Sequence, residues 1–397
     1  MYKKILCTLA VLLMGLPLVG TLLGADIPAR TLEGVAEEER PALSLSTLWD
    51  GSFQKQFDAW YAAEFAGHDF LVRLYNQLRL AVFGQSSESV QVGGDGQLYE
   101  APYLEEALGT TVEWQMTDAE VAALAEGLAQ LAELCRSRGK AFAVVLSPSK
   151  VSFTKQDVPW AWQHAVHYYT EEQRPYYRVR QALADAGVPF VDGRALLEGG
   201  RDYPVFPQTG IHWTHAAAVE VVQNLCAVLE AQDVALPVPR ADGITLSNEI
   251  FRLEDEDLSR LQNDLQPSAR GTYAHYTLAV DEPAGCVRPN ILLQGDSFTN
   301  TLYDILSEAG MGSCVTQLFY QDRVWDTAGR NEVISMDEPQ VLAQVQQMIS
   351  DADVIVLQSN ELLLKVMGLN GSYAGTPFYQ ICIDALSGES GGEGGGA

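Results

Sequence analysis

Basic residues are scarce in this chain of 397 residues. Lys and Arg total 25 against 52 Asp and Glu, a formal net charge of −27. Such a surface repels phosphate backbones and anionic lipid headgroups, which argues against nucleic acid as a partner. It keeps a protein soluble and does not choose between a neutral glycan and a small molecule. Cysteines number six (Cys7, Cys135, Cys226, Cys286, Cys314 and Cys382) and no pair has C-x-x-C spacing. That excludes a disulfide scaffold and a zinc site. One disulfide is compatible with an exported chain, but the spacing picks no pair. Cys135 and Cys226 fall within helical patterns and read as small buried hydrophobes. No Gly-Lys-Ser/Thr and no helix follows the glycines at Gly93–Gly96, so they read as a hairpin turn rather than a phosphate cradle. His164 with His167, and His212 with His215, stand three apart without an acidic or Cys ligand at a familiar spacing. No metal and no cofactor is expected. No internal repeat is evident.

Only one run is apolar enough to span a bilayer. Tyr2-Lys3-Lys4 forms a positive start, and Ile5–Leu23 follows as 19 apolar or small residues. This reads first as an uncleaved signal-anchor, since Leu22 and Leu23 suit a cleavage site poorly, and second as a cleaved signal. Either places the rest of the chain outside the cytoplasm, tethered to the membrane or secreted, with the lysines inside. Four segments follow: 1–24 as signal-anchor or signal peptide, 25–89 as stalk and helical extension, 90–370 as an α/β domain, and 371–397 as a tail with a disordered Gly-rich end. Phe53, Phe57, Trp60, Phe65 and Phe70 have rough helical spacing and read as packing.

The α/β reading comes from periodicity. Val121, Leu124, Leu128, Leu131 and Leu134 recur every three or four residues through Thr117–Arg138, Gly139 stops the helix, and Ala141–Leu146 is a strand. Helix then strand recurs at Gln173–Ala186 with Pro189–Val191, and at Pro339–Ser350 with Val354–Gln358; a further helix covers Thr214–Leu229. Alternation of this kind predicts a mainly parallel sheet covered on both faces, in three layers. Ligand sites in such sheets lie at the carboxyl ends of strands. Ser147–Lys150, Asp192, Gly295–Ser297 and Gln358–Glu361 fall there. Asp242–Arg288 is polar and irregular, an insertion or a small β excursion.

The chemistry centres on Gly295-Asp296-Ser297-Phe298. Ile291–Leu293 predicts a buried strand, Gly295 a tight turn, and Thr299–Ala309 a helix. A serine on a strand-to-helix turn is exposed at the sheet edge, where helix-start N–H groups can stabilise an oxyanion. Ser297 is the candidate nucleophile. Its hydroxyl needs a base, and His212 in Gly210-Ile211-His212-Trp213-Thr214 is the candidate. Asp296 reads as a loop-shaping carboxylate, because adjacent residues project differently.

Taken in order, the N-terminal apolar segment, Trp49–Trp60, Gly94-Asp95-Gly96-Gln97-Leu98, Ser147-Pro148-Ser149-Lys150, the His212 segment and Gly295-Asp296-Ser297-Phe298 resemble the SGNH-hydrolase-like proteins of polysaccharide O-acetylation. These are the alginate O-acetylation proteins and the related Asp-His-His-Trp-motif proteins. The resemblance implies a permuted SGNH fold and acetyl transfer to glycan hydroxyls, with a membrane-bound O-acyltransferase as donor partner. It carries the nucleophile to Ser297 and the base to His212. The family's triad acid stands two residues before the histidine, where this chain has Gly210. Three outcomes stay open: another carboxylate (Asp192, Asp202 or Asp322) substitutes, a Ser-His dyad suffices, or the site only binds glycan. Candidate oxyanion or substrate residues are Gly295, Asn360, Lys150, Trp213, Tyr320 and Arg323. The expected function is extracytoplasmic acetyl transfer to a polysaccharide. A carbohydrate acetylesterase or a non-catalytic glycan-binding component are the alternatives.

Overall fold

The computed structural model describes residues 2–36, 38–83, 90–266, 271–365 and 375–388, with the side chains at 9, 10, 12–14 and 83 outside that set. The chain divides into two compact units, one of Met1–Val92 with Leu258–Ala269 and one of Gly93–Asp257 with Arg270–Ala397.

In the first unit the apolar N-terminal run forms the helix Tyr2–Leu23. Among the described residues no helix is long and apolar enough to cross a membrane. Helices Ser52–Glu64 and His68–Phe83 carry the aromatic stripe, with Phe57 stacked on Phe53 and Tyr61 at 5.7 and 5.9 Å. Buried Arg73 holds the unit together by donating to the carbonyls of Arg30 at 3.0 Å and Asp264 at 3.1 Å.

Among the described residues of the second unit, seven strands form one sheet. They are β1 (Ala141–Ser147), β2 (Phe190–Asp192), β3 (Asn290–Gly295), β4 (Cys314–Phe319), β5 (Arg323–Asp326), β6 (Asn331–Val333) and β7 (Val354–Asn360), in the spatial order β6-β5-β4-β3-β7-β1-β2. The run β4-β3-β7-β1-β2 is parallel, and β5 and β6 add an antiparallel edge. Every residue of β1 and of β7 is buried, as a central strand covered on both faces requires. Phe142, Val144 and Leu146 of β1, with Ile355 and Leu357 of β7, enter a core shared with helices Asp118–Ser137, Pro175–Asp185, Pro339–Asp351 and Phe378–Ser387. Helices His215–Glu230 and Thr299–Glu308 pack together and against the strands. The expected three-layer, mainly parallel α/β fold with N-terminal helices is the fold found.

Helix Asp118–Ser137 starts on a reciprocal cap: Glu120 N–H donates to Thr117 Oγ1 at 3.2 Å, and Thr117 N–H to Glu120 Oε2 at 2.6 Å. The segment expected as tail is corrected in part. Phe378–Ser387 is a helix whose Phe378, Ile381, Cys382 and Ile383 complete the core. Residues 371–374 and the Gly-rich end, 389–397, lie outside the described residues. The polar stretch after Asp242 is a β excursion: Val238–Ser247 pairs antiparallel with Tyr273–Asp281, and the chain between them carries the turn Leu253–Glu256. All six cysteine thiols are free.

Candidate active site

The strand β3 delivers Ser297 to the carboxyl edge of the sheet. Ile291, Leu292 and Leu293 are buried, and the chain leaves the strand at Gly295. Glycine is required there by close approach, not by a left-handed φ. A Cβ would lie 2.3 Å from Gln358 Oε1 and 2.6 Å from Gln358 O on β7. Asp296 then locks the turn. Its Oδ1 accepts the Phe298 N–H at 2.9 Å and its Oδ2 the Asn360 N–H at 2.6 Å, while its own N–H donates to Gln358 Oε1 at 3.0 Å. Burial raises the Asp296 pKa, and those N–H donors oppose the rise. Asp296 and Phe298 are buried on either side, so Ser297 alone is left half-exposed, and helix Thr299–Glu308 begins two residues on.

His212 reaches the serine from the loop before helix His215–Glu230. Its Nε2 lies 2.7 Å from Ser297 Oγ, and its Nδ1 hydrogen-bonds Asp257 Oδ2. Asp257 Oδ1 accepts the Ile211 N–H at 2.8 Å, which fixes the carboxylate plane beside the ring. His212 is 9% exposed, and its ring packs 4.8 Å from the Phe298 ring. Burial disfavours its cation, but the Asp257 charge and hydrogen bond, with Asp296 and Glu254 behind, hold the His212 pKa above the ordinary value.

The carboxylate at His212 is therefore Asp257, and the expectation of Asp192, Asp202 or Asp322 is corrected. Asp192 caps helix Gly193–Leu197 through the Ala195 N–H at 2.9 Å, accepts the Tyr176 hydroxyl at 2.6 Å and pairs with Arg180. Asp202 is exposed in a loop, and Asp322 sits in the turn between β4 and β5. Gly210 explains the displacement. A Cβ there would meet Glu254 O at 2.4 Å and Asp255 O at 3.0 Å. The Leu253–Glu256 turn fills the space a side chain at 210 would use, and it leads directly into Asp257. In the sequence Asp257 is one carboxylate in the acidic run Glu254-Asp255-Glu256-Asp257, and nothing local distinguishes it.

The remaining candidates separate clearly. The Tyr320 hydroxyl donates to Ser297 Oγ at 3.4 Å, and its N–H donates to Gly295 O at 2.9 Å. Tyr320 and Gln321 hold φ of 46° and 65°, a strained left-handed pair that turns the ring onto the serine. Lys150 is wholly buried. Its Nζ donates to Gln208 O at 2.8 Å and Gly210 O at 2.9 Å and lies 5.5 Å from the Tyr99 ring centroid. It braces the His212 loop, and burial pushes its pKa down to about 7 against the opposing charge of Asp257. The Asn360 amide is spent on Pro148 O at 2.9 Å and the Leu362 N–H at 3.1 Å. Trp213, 1% exposed, stacks edge-on to Phe298 at 5.4 Å and donates to Thr301 Oγ1, so it packs under the site. Arg323 is exposed at the start of β5. The helix-start N–H groups of Phe298, Thr299 and Asn300 are used within the turn, by Asp296 Oδ1, Asp296 O and Ser297 O. Glu100, unremarked in the sequence, is half-buried at the end of the strand Leu98–Glu100. Burial raises its pKa, Asp257 adds to the rise and His212 opposes it.

A parallel sheet with a serine at its carboxyl edge, faced by histidine and carboxylate, defines an SGNH hydrolase-like α/β domain. The family model described as SGNH hydrolase-like domain, acetyltransferase AlgX, matches residues 90–303, and the chain belongs to that family. Similar solved structures include the O-acetyltransferase domain of Pseudomonas putida AlgJ, at 15% identity over 76% of this chain and 99% of that one, TM-score 0.46. Pseudomonas aeruginosa AlgX is similar at 14% identity over 75% of this chain and 65% of that one, TM-score 0.46. Bacillus cereus PatB1 is similar at 11% identity over 71% and 98%, TM-score 0.41. No curated protein matches the sequence.

Proposed function

We propose that this protein transfers acetyl groups to hydroxyls of a cell-surface or secreted polysaccharide, through an acetyl-enzyme on Ser297. Nε2 of His212 takes the Ser297 proton as Oγ attacks the acetyl carbonyl, and it returns that proton to the departing oxygen of the donor. A sugar hydroxyl then gives its proton to Nε2 and attacks the acetyl-enzyme, and Ser297 leaves with the proton restored. Asp257 holds the imidazole with its proton on Nδ1 and favours the cation that forms in each half-reaction. Tyr320 donates to the developing oxyanion. The observation that carries this reading is the 2.7 Å contact of His212 Nε2 with Ser297 Oγ while Nδ1 is held by a carboxylate. That carboxylate stands in for the acid missing at Gly210 and favours catalysis over a site that only binds glycan. The family description as acetyltransferase favours transfer. The run Ile5–Leu23, as export signal or anchor, favours work outside the cytoplasm beside a membrane-bound O-acyltransferase that supplies acetyl groups.

The test is a burst experiment with an acetyl ester of a chromogenic phenol. The wild type should release one equivalent of phenol and gain one acetyl in mass, and Ser297→Ala and His212→Ala should do neither. A burst that survives Ser297→Ala would refute the assignment.

A further inference from the structure

Between Asp157 and Glu171 the chain runs for thirteen residues, Val158–Thr170, without one Asp, Glu, Lys or Arg. Rings fill that gap: Trp160, Trp162, His164, His167, Tyr168 and Tyr169. Such a composition is what a core segment carries, yet much of this one faces water. Trp160 is 72% exposed and Tyr168 61%, and His164 and His167 are exposed as well. The Trp160 and His164 rings stack on each other at 4.4 Å with 26° between their planes. An exposed indole forgoes the stabilisation that burial would bring, and an exposed aromatic patch of this kind marks a binding surface.

The segment is pinned in place. Buried Tyr169 donates its hydroxyl to Glu106 O at 2.8 Å, and the Tyr168 N–H donates to Gly109 O at 2.6 Å. Lys155 pairs with Glu171 and so ties the two ends of the segment together. His164 Nδ1 donates to Trp160 O at 2.9 Å, and His167 Nδ1 donates to Leu108 O. A carbonyl only accepts, so both neutral rings carry their proton on Nδ1 and present Nε2 as an acceptor. Topology sets this surface at the sheet edge where Ser297 stands. Helix Pro175–Asp185 runs back to the start of β2, which is parallel to β1, so the chain between β1 and that helix lies at the carboxyl edge. Its anchor, helix Ala101–Leu108, packs against the turn Glu361–Leu364 that ends β7, and β7 pairs with β3, the strand that delivers Ser297.

We propose that Trp160, His164 and Tyr168 form a glycan-binding surface for a neutral, β-linked pyranose chain, a second subsite that holds the acceptor polymer beside the active site. The role of that glycan as acceptor rests on the acetyl-transfer reading above. A pyranose with equatorial substituents presents C–H groups on both faces, which stack on an indole or phenol, while its rim hydroxyls donate to a histidine Nε2. Val158–Thr170 offers no guanidinium or ammonium for a sugar carboxylate, and the adjoining Lys155 is already paired with Glu171. A neutral sugar needs neither. The ring pair is also held before any ligand arrives, so little side-chain freedom is lost on binding.

The test uses the full chain and a neutral β-1,4-linked gluco-hexasaccharide, with affinity read by calorimetry, which needs no turnover. The wild type should bind the sugar at millimolar concentration or below. Trp160→Ala should weaken binding about tenfold, the loss expected for one aromatic stacking partner, and Trp160→Phe should retain most of it. Thermal unfolding shows that the variants are folded, which the exposure of Trp160 leads us to expect. Undetectable binding to the wild type at millimolar concentration, or an affinity that Trp160→Ala leaves unchanged, would overturn the proposal. Self-association of the wild type that Trp160→Ala abolishes, with no sugar bound by either, would overturn it in favour of a contact between copies of the chain. Absence of the aryl-acetate burst in the wild type, with Trp160-dependent binding intact, would refute acetyl transfer and leave the glycan surface standing. A normal burst with binding indifferent to Trp160 would do the reverse.

Discussion

Replacing Asp257 by Asn tests the triad at the point where this chain departs from its family's pattern. The substitution changes one atom of the side chain and keeps its volume. Its orientation is decided by Ile211, whose N–H is donated to Oδ1 at 2.8 Å. An asparagine must keep its carbonyl oxygen on that N–H, so its NH₂ group points at His212 Nδ1. Nδ1 must then accept, the ring proton moves to Nε2, and Nε2 can no longer take the proton of Ser297. A wrong tautomer of this kind costs about 10⁴-fold in rate, which is about 5.4 kcal/mol of transition-state stabilisation. The assay is the rate constant of the phenol burst, with thermal unfolding to show that the variant is folded. A loss below about tenfold in a folded variant would refute the assignment, because it would mean that a backbone group or another acid orients the imidazole.

Other consequences are equally open to measurement. Gly210→Asp, which restores the family residue, should destabilise the protein by about 1–3 kcal/mol or more, since its Cβ would overlap Glu254 O; combined with Asp257→Asn it should recover no activity, and recovery would show that the Leu253–Glu256 turn yields. The acid limb of kcat/KM should lie above the ordinary imidazole value of about 6.5, with activity rising as His212 loses its proton. Lys150→Met strands the carbonyl of Gly210, while Gln208 O keeps the Leu98 N–H at 2.8 Å, and should cost about 1–3 kcal/mol for the group left unsatisfied, read by urea unfolding. The stability of wild type relative to Lys150→Met should also rise with pH between about 7 and 10.5. The unfolded chain keeps the lysine proton up to 10.5, whereas the native state sheds it from about 7, so raising the pH in that window favours the native state; a falling difference would contradict this. Arg174→Met leaves Glu106 as an uncompensated buried carboxylate, and Glu361 with only Arg194 at 3.8 Å and the Ser152 hydroxyl, and should destabilise by about 3–5 kcal/mol, seen as a lower urea midpoint.

Much of the fold is legible from local patterning. The apolar repeat in Thr117–Arg138 and the unbroken runs Ala141–Leu146 and Val354–Gln358 report burial directly, because a helix exposes one face and a central strand none. The helix Phe378–Ser387 carries an equally readable apolar stripe, but the Gly-rich sequence beyond it invites a tail reading. Lys150 and Asn360 look like substrate residues because they stand at strand ends. They prove to be braces, since only neighbouring segments reveal that their hydrogen bonds are already used.

The sequence by itself determined the layered parallel sheet, the strand–turn–helix that exposes Ser297, and the pairing of that serine with His212. The sheet and the turn are encoded in short stretches whose residue patterns specify them, whereas the pairing joins residues 85 apart and is read from the order of motifs that carries the family resemblance. The tertiary structure alone decided the acid. Asp257 lies 45 residues from His212, in a β excursion with no motif of its own. Its role follows from the packing of the Leu253–Glu256 turn against Gly210, a steric fact that exists only once the two segments are folded together.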